Sequence, residues 1–293
     1  MKYLLLFVCS VFLSISVYCQ TIVREGTLII VTESKQGLVI VADRMTTTTS
    51  FDDNETKNNC DTVTKIKKVN KYFAFSLTGS LYYSKAEFNQ LKEFDGLRLC
   101  SKYFEENNGA TINADVIKVL ANKLMKECQK FLNSTSQPAI IISNADETSV
   151  LNCLVYGYDV ATKKYFLHII ALTYKVNNSS NVASDKFVVT YKCGQVNFDQ
   201  VSRAIIIGKS GFASELQNGN NKKFDSLRKN KIATEYLNNK NTLFDKTDVV
   251  EYSKCLVTET SKVESKVGDK VDVAIIEGPN GFRWLVKDNK SID

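Results

Sequence analysis

The chain has 293 residues, 44% hydrophobic and 24% charged, a globular balance that excludes intrinsic disorder. Two prolines and thirteen glycines leave no linker-like stretch, which favours a single domain. The net charge of +6 is modest and no stripe of Lys and Arg interleaved with aromatics appears, so TKIKKVNK and NNKKFDSLRKNK read as solvated faces and nucleic-acid binding is not expected.

The opening MKYLLLFVCSVFLSISVYCQ carries a Lys, an apolar run from Tyr3 to Val17 and then small residues. That pattern is a secretory signal, too short and wrongly flanked to span a bilayer, and Val17 and Cys19 fit the small-residue cleavage rule. The expected organisation is a signal peptide over 1–19 and a secreted chain that begins at Gln20; a self-cut at Gly26–Thr27 would divide that chain into a short propeptide over 20–26 and one domain over 27–293. Localisation follows: secreted, or in the lumen of the secretory pathway, with no membrane association once the signal is removed. Of eight cysteines, Cys9 and Cys19 fall in the signal, leaving Cys60, Cys100, Cys128, Cys153, Cys193 and Cys255. An even number in an oxidising compartment is compatible with up to three disulfides. None shows C-x-x-C spacing, so no zinc site is expected. Glycosylation triplets at Asn54, Asn133, Asn177, Asn178 and Asn289 agree with that route.

TLIIVTE (27–33) and GLVIVAD (37–43) are near-continuous apolar runs around a short polar turn, as in strands covered on both faces. VTKIKKV (63–69) and KYFAFSLTG (71–79) make a second pair of predicted strands. Residues 81–106 carry apolar side chains at three- and four-residue steps and predict a helix. So do residues 113–133, where Val116, Ile117, Leu120, Leu124, Cys128 and Phe131 share a face. Strands are then predicted in AIIISNA (139–145), SVLNCLVYGYD (149–159), KYFLHIIAL (164–172), KFVVTYKCG (186–194) and RAIIIGK (203–209). Two helical patterns follow at 211–237 and 247–265, and KVDVAIIEGPNGFRWLV (270–286) closes the chain as a hairpin. This order of strands, two helices, strands, two helices and strands points to an α+β arrangement of stacked sheets flanked by helix pairs.

Much familiar chemistry is excluded. His168 is the only histidine, and in YFLHII it reads as a packed strand residue, so Ser-His-Asp, Cys-His and histidine-rich metal sites are not expected. Gly208-Lys209-Ser210 lacks the glycine that a phosphate loop needs five residues before Gly208, because Arg203 stands there. No metal or cofactor is implied. A base must come from elsewhere, and Thr27 offers one. With a turn centred near Lys35, Thr27 and Asp43 fall almost directly across the hairpin from one another. If the Gly26–Thr27 bond were cut, Thr27 would carry both a hydroxyl and an α-amine of pKa about 7.7–8.0. That amine can take the hydroxyl proton near neutral pH. A neighbouring Lys would hold the amine pKa down, and an Asp would fix the Lys.

On these residues the chain resembles the catalytic β subunits of the proteasome and their bacterial relatives, the N-terminal-nucleophile hydrolases, from Gly26 to about Leu285. Gly26-Thr27 resembles the family's self-processing junction, Asp43 in VADR falls at its spacing from the nucleophile, and KIKKVN is similar to its lysine block, with Lys65 matching the active-site lysine. Gly79 in SLTGS matches the glycine whose N–H forms the oxyanion hole. The interval from Asp43 to Lys65 is about six residues longer than the family's and holds Cys60 and Asn54. In the second half, Lys209 or Ser210 stands for a site serine, Glu264 replaces an Asp and Val267 a Ser. Thr47 matches the position whose backbone pairs with extended substrate, and Leu77 the base of the pocket for the residue before the cut bond, implying apolar side chains there.

The resemblance implies a four-layer αββα sandwich and a secreted threonine peptidase or amidohydrolase, acting on a peptide or amide substrate after cutting itself at Gly26–Thr27. The competing reading is a catalytically inactive binding, storage or structural protein on the same scaffold, which the substitutions at Glu264 and Val267 favour. Family members assemble as stacked rings, which a glycan on a ring face would block. A monomer or a small homo-oligomer is therefore expected.

Overall fold

In the computed structural model the described residues are 21–26, 28–50, 55–59, 64–87, 90–107, 111–134, 149–177, 186–198, 204–208, 213–214, 242–288 and 290–292. The signal (1–19), Gln20, Thr27, Cys60, the strand expected over 139–145 and residues Lys209 and Ser210 lie outside them. So does the helical pattern over 211–237, apart from Ala213 and Ser214.

The elements in chain order are β1 (Thr21–Gly26), β2 (Leu28–Ser34), β3 (Gly37–Asp43), β4 (Thr46–Ser50), β5 (Glu55–Asn59), β6 (Ile66–Lys68), β7 (Phe73–Glu87) and β8 (Gln90–Asp95). Helices α1 (Gly96–Glu106) and α2 (Ala114–Ser134) follow, then β9 (Ser149–Asp159), β10 (Lys164–Asn177), β11 (Lys186–Asn197) and β12 (Ile205–Gly208). Helix α3 (Lys246–Ser261) precedes β13 (Val271–Ile276), β14 (Phe282–Lys287) and β15 (Lys290–Ser291). The fold is mixed α+β, mostly sheet. The described strands form one nine-stranded sheet, with path β11-β10-β9-β7-β1-β4-β5 and with β6 and β8 also on β7, and one six-stranded sheet ordered β12-β2-β3-β13-β14-β15. All pairings among the described strands are antiparallel.

The apolar runs of β2 and β3 are explained by what covers them, since every residue of both strands is buried. Successive side chains point to opposite faces of a strand. Leu28, Ile30, Val39 and Val41 join a cluster with Val249, Tyr252, Leu256 and Val257 of α3. Ile29, Val31, Leu38, Ile40 and Ala42 meet Ala74, Leu154, Tyr156 and Leu167 of the larger sheet. The opposite face of that sheet gives Phe73, Phe75, Leu77, Leu151, Cys153 and Val155 to a third cluster, beneath α1 and α2. In α2 the buried residues include Ile117, Leu120, Leu124, Cys128 and Phe131, five of the six on the expected stripe, and Val116 packs partly buried at its margin.

Two expectations are corrected. Residues 81–106 are not one helix: β7 continues to Glu87, β8 follows, and the helix begins at Gly96. Aromatic pairing across the strands overrides the helical spacing. Tyr83 lies opposite Phe94, with ring centroids 6.1 Å apart, and stacks on Phe131 of α2 at 5.6 Å. Helix α1 starts where it does because the Asp95 side chain accepts the Arg98 N–H. In the first hairpin Ile29 pairs with Ala42 and Ser34 with Gly37, so Asp43 falls level with Leu28, one residue on from the expected partner.

Among the described residues Cys100, Cys128 and Cys153 are buried and Cys193 is exposed, all four as free thiols. Cys100 and Cys153 share a buried Sγ···Sγ hydrogen bond of 3.8 Å, and burial pushes the Cys128 thiol up to about 12. Among the described residues no helix is long and apolar enough to cross a membrane.

Phe104 anchors the cluster beneath the helices, 1% exposed and 5.7, 5.2 and 5.5 Å from the rings of Phe73, Phe75 and Tyr103. Phe104→Ala is expected to lower stability by about 3–5 kcal/mol in urea unfolding. A loss below about 1 kcal/mol would mean that this cluster does not hold the helices to the sheet.

Candidate active site

The chain passes from the larger sheet to the smaller one between Gly26, the end of β1, and Leu28, the start of β2. Both flanks of Thr27, which itself lies outside the described residues, are fixed by residues of the predicted set. On the first flank β1 is an interior strand: Gly26 pairs with Gly79 on β7 and with Thr46 on β4, and Glu25 lies opposite Thr47. The segment expected as a propeptide thus fills the space between β4 and β7. On the second flank the Leu28 N–H donates to Asp43 Oδ1 at 2.8 Å.

Asp43 is the centre of the arrangement. It is fully buried at the end of β3, and Lys65 Nζ donates to its Oδ1 at 2.5 Å. Its Oδ2 accepts the N–H of Met45 at 3.2 Å and of Gly268 at 3.1 Å. These donors replace the water that the carboxylate loses on burial. Lys65 arrives from the segment just before β6, and its side chain is fully buried. Burial lowers the Lys65 amine from its ordinary value, opposed by the charge and hydrogen bond of Asp43 and by the charge of Asp272. A lysine in this state gives up its proton more readily than one in water. Arg44 holds Asp272 in turn, donating from Nη1 to Asp272 Oδ1 at 2.8 Å and to Asp288 Oδ1 at 2.6 Å, while the Asp288 N–H donates to the same Asp272 oxygen at 2.9 Å.

Gly79 sits at φ +81°, and a Cβ there would lie 2.8 Å from the carbonyl oxygen of Val150. Both the left-handed backbone and the close approach of β9 call for glycine. The other predicted residues are placed as follows. Leu77 belongs to the cluster beneath α1 and α2. Glu264 lies in the turn after α3, where its Oε1 accepts the Lys266 N–H at 3.4 Å. Val267, where the resemblance has a serine, is 2% exposed and packed with α3. Ser210 and Lys209 lie outside the described residues.

The structure therefore brings Gly26, Asp43, Lys65, Gly79 and Thr47 to one junction between the sheets. Sequence reasoning missed Gly268, Met45, Asp272 and Arg44. Gly268 and Met45 act through backbone N–H groups, which no residue type advertises. Arg44 was in view within VADR, but its acceptors lie 228 and 244 residues away. His168 sits in β10, buried and 5.7 Å from the Phe166 ring, and burial lowers its pKa. Among the described residues no group of three or more His, Cys, Asp or Glu is placed to hold a metal ion.

Removing one partner of a buried, hydrogen-bonded ion pair strands the other. Lys65→Met is expected to cost about 3–5 kcal/mol in urea unfolding. The double variant with Asp43→Asn should lose less than the sum of the singles, by about 0.5–3 kcal/mol. Strict additivity would show that the pair is not coupled.

No family model matches the chain, and no curated protein matches it.

Proposed function

We propose that the protein is a secreted N-terminal threonine hydrolase, a peptidase or amidohydrolase that frees Thr27 by cutting its own Gly26–Thr27 bond. The observation that carries this reading is the pinning of both flanks of Thr27. Gly26 is paired with Gly79, and Leu28 is hydrogen-bonded to the carboxylate that also holds Lys65. The three apolar clusters support the finer reading of the fold as a four-layer αββα sandwich, with α1 and α2 on one outer face and α3 on the other.

In the proposed chemistry, the Thr27 hydroxyl attacks the Gly26 carbonyl carbon, the peptide C–N bond breaks, and the acyl group passes to oxygen as an ester. Water then hydrolyses that ester, releasing the segment ending at Gly26 and leaving Thr27 with a free amine. In later turnovers the amine takes the hydroxyl proton and passes it to the leaving amine. Lys65, held by Asp43, supplies the positive charge that keeps the neighbouring amine unprotonated near neutral pH. The Gly79 N–H stabilises the oxyanion, a role worth about 2.7–4 kcal/mol for a single donor in other hydrolases.

A second reading is favoured by β1 itself. A segment paired on both sides within a sheet is a sound structural strand, and an inactive binding or storage protein would keep it. The test is the N-terminus of the secreted protein, by intact mass and peptide mapping, for wild type, Thr27→Ala and Thr27→Ser. The hydrolase reading expects wild type and Thr27→Ser to begin at residue 27 and Thr27→Ala to retain residues 20–26. A wild-type chain beginning at Gln20 supports the scaffold reading.

A further inference from the structure

If β1 marks how an extended peptide lies before the cut bond, Gly26 occupies the place of the residue that donates the acyl group. The space around it is small. A Cβ on Gly26 would meet Leu81 Cδ1 at 2.9 Å and Cγ at 3.4 Å, with the Leu77 carbonyl oxygen also at 3.4 Å. Of Leu77, the nearest atom is that carbonyl; its side chain points toward the start of α1, with Cδ1 3.7 Å from the Cβ position of Gly96.

Leu81 reaches Gly26 because of the way β7 is built. Arg24 pairs with Tyr82 and Glu25 with Ser80, so Leu81 is an extra residue on β7 with no counterpart on β1. Leu81 keeps the face of β7 that Phe73, Phe75, Leu77 and Tyr83 share, as the two-residue alternation of a strand requires, while the bulge leaves it without a partner on β1. It lies in the gap between the β9-paired stretch of β7, which ends at Gly79, and the β8-paired stretch, which begins at Tyr82. Leu81 is 7% exposed and belongs to the cluster beneath α1 and α2, so the space behind it is already filled.

We propose that this site takes glycine as the residue before the cut bond, and that Leu81 is the specificity residue that enforces it. The substrate class is therefore an extended peptide or acyl amide whose acyl donor is glycyl. Alanine requires the end of Leu81 to swing aside, and larger side chains require it to leave its place in the core. This inference rests on the hydrolase reading and replaces a general preference for apolar side chains with a closed pocket. Leu81 touches the acyl residue and does no chemistry itself.

The test uses the secreted protein and fluorogenic amides of Val-Arg-Glu-X, where X is Gly, Ala, Leu or Phe, the first three residues copying positions 23–25. The expected kcat/KM falls in the order Gly, Ala, then Leu and Phe, with glycine favoured over leucine by about 10–200-fold, the range a tight pocket contact gives. Leu81→Ala should narrow that ratio by raising the rate for leucine. Within the chain, Gly26→Leu should stay uncut and Gly26→Leu with Leu81→Ala should be cut. Equal rates for Gly and Leu, or wild-type processing of Gly26→Leu, would overturn the proposal while leaving the hydrolase reading intact. A wild-type chain that keeps residues 20–26 and cleaves none of the amides would overturn both. The panel on unsubstituted protein needs no variant to fold.

Discussion

The buried carboxylate of Asp43 is the point on which the rest of the structure depends. It accepts hydrogen bonds from Lys65, from the backbone of Leu28 and Met45, and from Gly268 far along the chain. Those donors come from β2, from the link between β3 and β4, from the segment before β6, and from the turn that leads to β13. A single charge thus ties the crossing point of the two sheets to the last third of the sequence. Its neighbours extend the network: Arg44 follows it in the link to β4 and holds Asp272, which lies on the adjacent strand β13 and adds charge that Lys65 feels. An ion pair this deep is costly to desolvate and is a poor source of net stability. Its retention is better explained by what it holds in place.

Strand β7 supplies the matching constraint from the other sheet. It pairs with β1, β6, β8 and β9, changing partners along its 15 residues, and Gly79 and Leu81 fall near the changes. Gly79 adopts a positive φ where β9 presses close, and Leu81 is the residue of a bulge that has no counterpart on β1. The features that give the candidate site its shape are therefore irregularities of one long strand. Irregular backbone of this kind concentrates where a side chain or an amide must be aimed.

Part of this was legible in the sequence for physical reasons. The apolar runs of β2 and β3 told of burial on two faces, and the stripe from Ile117 to Phe131 told of α2, because burial leaves a periodic record. Gly26, Asp43, Lys65 and Gly79 were singled out through the family resemblance, and the structure places them around one junction between the sheets. Three things left no such record. The β7–β8 hairpin was hidden because Tyr83 and Phe94 sit at steps that also suit a helix, and only their pairing decides the matter. The hairpin register was off by one, since a two-residue turn at Lys35-Gln36 shifts every pairing from a turn centred on Lys35. Leu81 and Gly268 act through a bulge and a backbone N–H, which composition and spacing do not encode.

The central claim is that a freed Thr27 is the nucleophile at the junction held by Asp43 and Lys65. The most direct test is to treat the purified protein with a peptide β-lactone, an electrophile that acylates an activated hydroxyl, and to locate the adduct by peptide mass mapping. The account predicts one adduct per chain, on a peptide that begins at Thr27, with labelling lost in Lys65→Ala. An unlabelled protein, or an adduct on a different residue, would contradict it.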